Sequence, residues 1–275
     1  MRKVKWAISE EAFKRHEFSL LSTALEQKEI DYFRSELDEK TREYEDIPYG
    51  TDECVVLHGP IKFIRTKNRG FIPGAFGFKQ TMNLNHYMTI YPQEWFFNSD
   101  CVFLPWGLIS SQKEKLRNLF GERVFIRPNS GYKNFTGFDL NLKDFEEESS
   151  ARKQTETIFP EELCLISSSK EILGEYRIVI CEKEPITGSQ YRWDDILDVR
   201  LDVHTECWDF AKKVANYDEY DQLDVCYVLD VFLTHQGPLI GEFNSFASSG
   251  LYNCDRSIVV EKVSNLALKE WDTKN

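Results

Sequence analysis

The chain opens with a short alternating run, "VKWAI" (residues 4–8), and then places apolar residues at helical spacing in "EFSLLSTALEQKEI" (17–30), with Phe18, Leu21 and Leu25 on one face. The β-branched run "ECVVLHG" (53–59) stops at Gly59, as a buried strand ending in a turn does. Strand, helix, strand in that order predicts a small α/β layer on a largely parallel sheet. Residues 68–92 hold several glycines, two prolines and aromatics, which predicts an ordered but irregular connection. "CVFLPWGLI" (101–109) reads as a strand. "SSQKEKLRNLFG" (110–121) reads as a helix capped by Ser110 or Ser111 and stopped by Gly121.

The pattern changes near residue 121. "ERVFIRPNSGYKNFTGFDL" (122–140) predicts a hairpin whose turn carries Asn129, Ser130, Gly131, Tyr132 and Lys133, with the second strand starting at Phe135. "LKDFEEESSARKQT" (142–155) is a charged, exposed helix or loop, and "ELCLISSS" (162–169) is a strand. "GEYRIVICEKEPITGSQYRW" (174–193) reads as two strands joined around Glu184-Pro185. "TECWDFAKKVANY" (205–217) has helical spacing at Trp208, Ala211 and Val214. "VCYVLDVFLTHQGPLIGEFNSF" (225–246) is a long hairpin turning at His235-Gln236-Gly237-Pro238, and a last helix spans roughly 256–271. The second part is therefore α+β, rich in antiparallel hairpins.

Composition narrows the function classes. A chain of 275 residues is long enough to bury a sizeable core as one large domain or two modest ones. The net charge of −12 argues against a nucleic-acid partner, which needs clustered Lys and Arg. No apolar run approaches the roughly 20 residues that span a bilayer, and nothing resembling a secretory signal follows Met1. Seven scattered cysteines with no Cys-x-x-Cys pair read as reduced, mostly buried thiols of a cytoplasmic protein. His204-x-x-Cys207 has zinc spacing but no second pair, and its ordinary reading is a helix surface.

The candidate chemistry lies late in the chain. Asp230 interrupts the apolar run "VLDVFL", and a buried carboxylate needs a cation or strong donors. On the partner strand Glu242 and Asn244 are two apart, so they share a face, and the hairpin brings Asp230 roughly opposite them. Three hard oxygen donors meeting at one point suit Mg2+. The plainer alternative is a polar face turned to solvent. Arg127 ends a strand and Lys133 sits in the following turn, where backbone N–H groups and an ammonium could hold phosphates, although the spacing is not that of a Walker loop. Glu175 and Arg177 share a face and could form a simple ion pair. Arg192 is a further anion contact, and Lys170 follows a serine run.

These stretches together resemble the ATP-grasp superfamily, and within it the small phage and bacterial proteins with a paired-arginine and lysine signature. "FIRPNSGYKNFTGFDL" resembles the first nucleotide-binding hairpin, "LISSSKEILGEYRIVI" the linker and following strand, and "YVLDVFLTHQGPLIGEFNSFASSG" the metal-binding end. "VVLHG" and "GFIPGAFG" resemble, more loosely, the preceding α/β domain. The resemblance implies an ATP-grasp fold over 111–275 after a pre-ATP-grasp domain over 1–110. It implies phosphate contacts from Arg127 and Lys133, an adenine-linker position for Lys170, and nucleotide hydroxyl or amide contacts from Glu175. Arg177 and Arg192 would hold the transferred phosphate or an acyl substrate, and Asp230, Glu242 and Asn244 would bind Mg2+. Many members carry lysine where Arg127 stands, so a bidentate guanidinium would replace a point charge here. The implied reaction joins a carboxylate to an amine, on a small molecule or peptide, with ATP and Mg2+. A phosphotransferase, or a non-catalytic module contacting a host protein through the acidic surface and the 143–162 stretch, are the alternatives.

Overall fold

The computed structural model describes residues 3–9, 15–67, 71, 76–217 and 223–274. Contacts divide the chain into two compact units: residues 1–79 with 172–275, and residues 80–171. These units follow spatial contact and not chain order. The 110/111 boundary expected from sequence is a division by kinship, and it stands as a proposal.

In the larger unit the opening pattern folds as expected. Strands β1 (Lys5–Ser9), β2 (Tyr32–Ser35) and β3 (Val55–His58) form a parallel sheet in the order β2-β1-β3, with helix α1 (Arg15–Gln27) crossing between the first two. Helix α2 (Ile61–Lys67) follows β3. "GFIPGAFG", residues 70–77, lies largely outside the described residues.

The same unit holds a five-stranded antiparallel sheet in the order β10-β9-β8-β11-β12. Its strands are β8 (Gly174–Cys181), β9 (Glu184–Trp193), β10 (Ile196–Arg200), β11 (Cys226–Thr234) and β12 (Gly237–Ser245). Helix α6 (Thr205–Tyr217) packs on this sheet, and helix α7 (Arg256–Lys274) packs on both the sheet and α1. One core joins Trp6, Ile8, Val56, Val179, Val228 and Val260, and the Trp6 indole N–H donates to Ser264 Oγ at 2.9 Å within it. Each such large side chain taken from water contributes roughly 1.5–3 kcal/mol.

The smaller unit is built on the sheet β4-β7-β5-β6: β4 (Val102–Pro105), β5 (Arg123–Pro128), β6 (Phe138–Asn141) and β7 (Leu163–Ser168). Helices α3 (Leu84–Tyr87), α4 (Lys113–Phe120) and α5 (Phe145–Thr155) complete it. Trp106, Phe135 and Phe145 cluster in its core, with Trp106 and Phe135 centroids 5.1 Å apart.

Several local expectations are corrected. Neither Ser110 nor Ser111 caps α4: helical turns already run through them, Ser110 Oγ donates to Glu146, and the helix begins at Lys113. Gly121, at φ 86°, ends it as expected. The 101–109 strand spans only Val102–Pro105. The strand expected from Phe135 starts at Phe138, because Phe135 turns into the core beside Trp106. The β8–β9 turn falls at Glu182-Lys183, two residues before Glu184-Pro185. Both turn residues have positive φ (49° and 67°), the backbone of a two-residue hairpin turn whose twist matches the strands. The β11–β12 turn is His235-Gln236, and Gly237 and Pro238 belong to β12, an edge strand that tolerates a proline. Cys207 is buried, so the His204–Cys207 pair is not a helix surface.

Candidate active site

Strands β8 and β11 of the five-stranded sheet are apolar along most of their length, which makes their charged residues conspicuous. Asp230 lies opposite Arg177 of β8 on one side and opposite Glu242 of β12 on the other. The Arg177 guanidinium grips the Asp230 carboxylate at both ends, Nε to Oδ1 and Nη2 to Oδ2, each at 2.8 Å, and its Nη1 donates to the Gly250 carbonyl at 2.9 Å. The two side chains are only 11% and 4% exposed. Asp230 thus has the strong donors its burial requires and does not face solvent.

Asn244 joins the same group by donating Nδ2–H to Asp230 Oδ2 at 3.1 Å. Glu242 is half-buried directly across from Asp230. The register slips between Asp230 and Val231, next to Gly241. A Cβ at Gly241 would fall 2.5 Å from the Phe232 ring, so glycine is needed where the two strands approach. The alternation that put Glu242 and Asn244 on one face therefore holds, and the structure brings Asp230, Glu242 and Asn244 together.

Glu175 and Arg177 share a face, but their partners lie across the strands. Glu175 pairs with Arg192 of β9, Nε to Oε1 at 3.5 Å, and accepts the Tyr191 hydroxyl at 2.5 Å. Burial pushes the Glu175 carboxyl up from its ordinary value, against the opposing pull of Tyr191 and Arg192. For Arg177 burial works against the charge, yet the adjacent Asp230 outweighs it and holds the guanidinium firmly protonated.

Two aromatic rings complete this region. Tyr191 and Tyr252 stack at 4.7 Å and within 6° of parallel, and the Arg177 guanidinium lies 5.5 and 5.0 Å from their centroids. Sequence reasoning missed both tyrosines. They stand 61 positions apart, the difference of their numbers, in segments whose pairing only the tertiary fold sets.

The smaller unit carries the remaining candidates. Arg127 is buried near the end of β5. A Cβ on Gly137 would press at 2.8 Å on the Phe125 ring and at 3.0 Å on Arg127 Cβ, so glycine lets the hairpin loop lie against this strand. Lys133 is exposed in the loop, with φ at 48° and its N–H donated to the Ser130 carbonyl. Lys170 is held by Asp100 at 2.5 Å, with its ammonium 5.5 Å from the Phe97 centroid.

The donor chemistry fits a divalent cation. Among the described residues no group of three or more His, Cys, Asp and Glu side chains is placed to hold a metal. The set here is two carboxylates and a carboxamide, all hard oxygen donors. A carboxylate offers about four acceptor directions, and Asp230 uses three of them on Arg177 and Asn244. Mg2+ needs few protein ligands, since it keeps several waters and takes substrate phosphate oxygens for the rest.

Residues 108–261, more than half of the chain, match the family described as ATP-grasp domain, R2K clade family 2. No curated protein matches the sequence. Among solved structures the chain is similar to a D-cycloserine synthetase, with TM-score 0.66, 10% identity, and 96% of this chain and 99% of that one covered. It is also similar to D-alanyl-alanine synthetase A from Vibrio cholerae, with TM-score 0.62, 12% identity, and 98% and 99% covered. A third similar structure is the D-alanine–D-alanine ligase from Bacillus anthracis, with TM-score 0.59, 11% identity, and both chains covered in full. At these identities the likeness speaks for the fold. No described helix is long and apolar enough to cross a membrane.

Proposed function

Because the chain belongs to the ATP-grasp superfamily, through its R2K clade match, we propose that it is an ATP- and Mg2+-dependent ligase that joins a carboxylate to an amine. The observation that carries this reading is the convergence of Asp230 on β11 with Glu242 and Asn244 on β12, beside the buried Arg177 of the adjoining strand β8. The similar synthetases and ligases named above support it.

In the proposed reaction a substrate carboxylate oxygen attacks the γ-phosphorus of ATP, ADP leaves, and an acyl phosphate forms. The amine then attacks the acyl carbon and phosphate leaves. A bound Mg2+ would neutralise phosphate charge as it develops, held by Glu242, Asp230 and the Asn244 amide oxygen.

The chain's own residues position the reactants. Arg177 has five N–H donors, and three of them are engaged by Asp230 and Gly250. The other two can meet a phosphoryl or acyl oxygen. Its fixed geometry means that little reorganisation is needed as charge appears. Arg192, whose side chain is 46% exposed, can swing onto a carboxylate or phosphate. Glu175, oriented by Tyr191, would accept from nucleotide hydroxyls. Arg127 and Lys133 are the proposed phosphate contacts, and Lys170 the proposed contact near adenine.

The test is ADP release in the presence of ATP and Mg2+ with candidate acids and amines. Release that requires both an acid and an amine, with 18O from the labelled acid appearing in phosphate, is expected. Release with a single acceptor and no amide would instead indicate a phosphotransferase.

A further inference from the structure

All seven cysteines are free, and six are buried. Cys181 and Cys226 differ from the rest in that their sulfurs lie 3.1 Å apart. They are direct cross-strand partners near one end of the β8–β11 pair. The adjoining partners, Glu182 and Val225, exchange a backbone hydrogen bond, Glu182 N–H to the Val225 carbonyl at 2.8 Å. In an antiparallel ladder bonded and non-bonded pairs alternate, so Cys181 and Cys226 form a non-bonded pair, with Cα atoms about 4.5 Å apart and side chains close together. That spacing falls inside the roughly 4.4–6.8 Å at which a disulfide forms. Closing the bond would ask for side-chain movement only.

A cleft lies next to the residues that flank the pair. It has a volume of about 280 Å³ and is lined by Glu182 and Val225, the residues next to the two cysteines, together with Leu266 and Lys269 of α7. It is several times the roughly 30 Å³ share of one liquid water. Of the two thiols, Cys181 is 5% exposed and Cys226 fully buried. The same face of the ladder carries Val179–Val228 and then Arg177–Asp230.

We propose that Cys181 and Cys226 are a site of oxidative modification, forming a reversible disulfide that clamps β8 to β11. With hydrogen peroxide as oxidant, the Cys181 sulfur attacks one peroxide oxygen. The O–O bond breaks, water leaves, and Cys181 becomes a sulfenic acid. The Cys226 sulfur then attacks the Cys181 sulfur, the S–O bond breaks, and a second water leaves. The two thiols together give up two electrons to the peroxide, and their protons end in water. Burial slows the first step. The second is effectively intramolecular and favoured by contact.

The experiment is a peroxide titration of the full chain, read by intact mass and by peptide mapping without reductant. The expected result is loss of the mass of two hydrogens, a peptide joining Cys181 to Cys226, and a fall from seven to five alkylatable thiols, two having been joined. Dithiothreitol should restore all of them. The oxidised form should melt about 5 °C or more above the reduced one, because the cross-link restricts the unfolded chain. Cys181→Ser and Cys226→Ser should each abolish the mass loss. The wild-type map decides the matter without them if either variant fails to fold. Full retention of the seven thiols, oxygen addition without a cross-link, or a link through other cysteines would overturn the proposal.

Discussion

Arg177 and Asp230 face each other across β8 and β11 as a two-point clasp, with both carboxylate oxygens 2.8 Å from guanidinium nitrogens. The pair sits in the interior of a sheet where neither charge could stand alone. Removing one partner strands the other in a medium that solvates it poorly, so Arg177→Met should destabilise the fold by about 3–5 kcal/mol. Arg177→Lys should rescue little, since one ammonium cannot span both oxygens. Denaturant unfolding of the two variants and of the Arg177→Met/Asp230→Leu double variant measures this. The double variant should lose less than the sum of the two single changes.

Tyr191→Phe keeps the ring stacked on Tyr252 and removes only the hydroxyl held by Glu175. The buried carboxylate then lacks its best donor, at an expected loss of about 1–3 kcal/mol near neutral pH. Burial already raises the Glu175 pKa, and losing a donor to the ionised form raises it further. The deficit should be present while Glu175 is ionised and shrink as acid protonates it. Melting temperatures of wild type and variant across that range check the direction.

His58 ends β3 in the core, where burial, with Arg256 nearby, presses its pKa down to about 3. The unfolded chain takes up that proton near pH 6.5, so the folded state binds fewer protons between those limits. Its contribution to stability is therefore whole above about pH 6.5 and is lost as pH falls toward 3, by about 1.4 kcal/mol per pH unit at most. A His58→Gln variant should show a shallower acid decline between pH 7 and 5. An unchanged slope would assign the acid sensitivity to other groups.

The late hairpin was legible because alternation is a local rule: once β12 is a strand, Glu242 and Asn244 must share a face. The partners of Arg177 and Glu175 were not legible, because they depend on the register of β8 against β9 and β11, which residue spacing within one strand does not fix. The turn at Glu182-Lys183 escaped notice for another reason. Neither residue is a glycine, asparagine or aspartate, so nothing in the local composition signals positive φ, whereas the proline at 185 looked like punctuation and is a strand residue. Phe135 shows a third limit. Its apolar character suits a strand or a core anchor equally, and packing on Trp106 chose the latter.

The central claim is that Asp230, Glu242 and Asn244 gather a divalent cation together with the phosphates of ATP. Electron paramagnetic resonance of Mn2+ titrated into the protein with ATP tests it without knowledge of the acid or the amine. Wild type should bind Mn2+–ATP, and Glu242→Gln should weaken that binding at least about tenfold, a loss of roughly 1.4 kcal/mol, while its melting temperature stays close to that of wild type. Equal Mn2+ affinity in the two proteins would contradict the account.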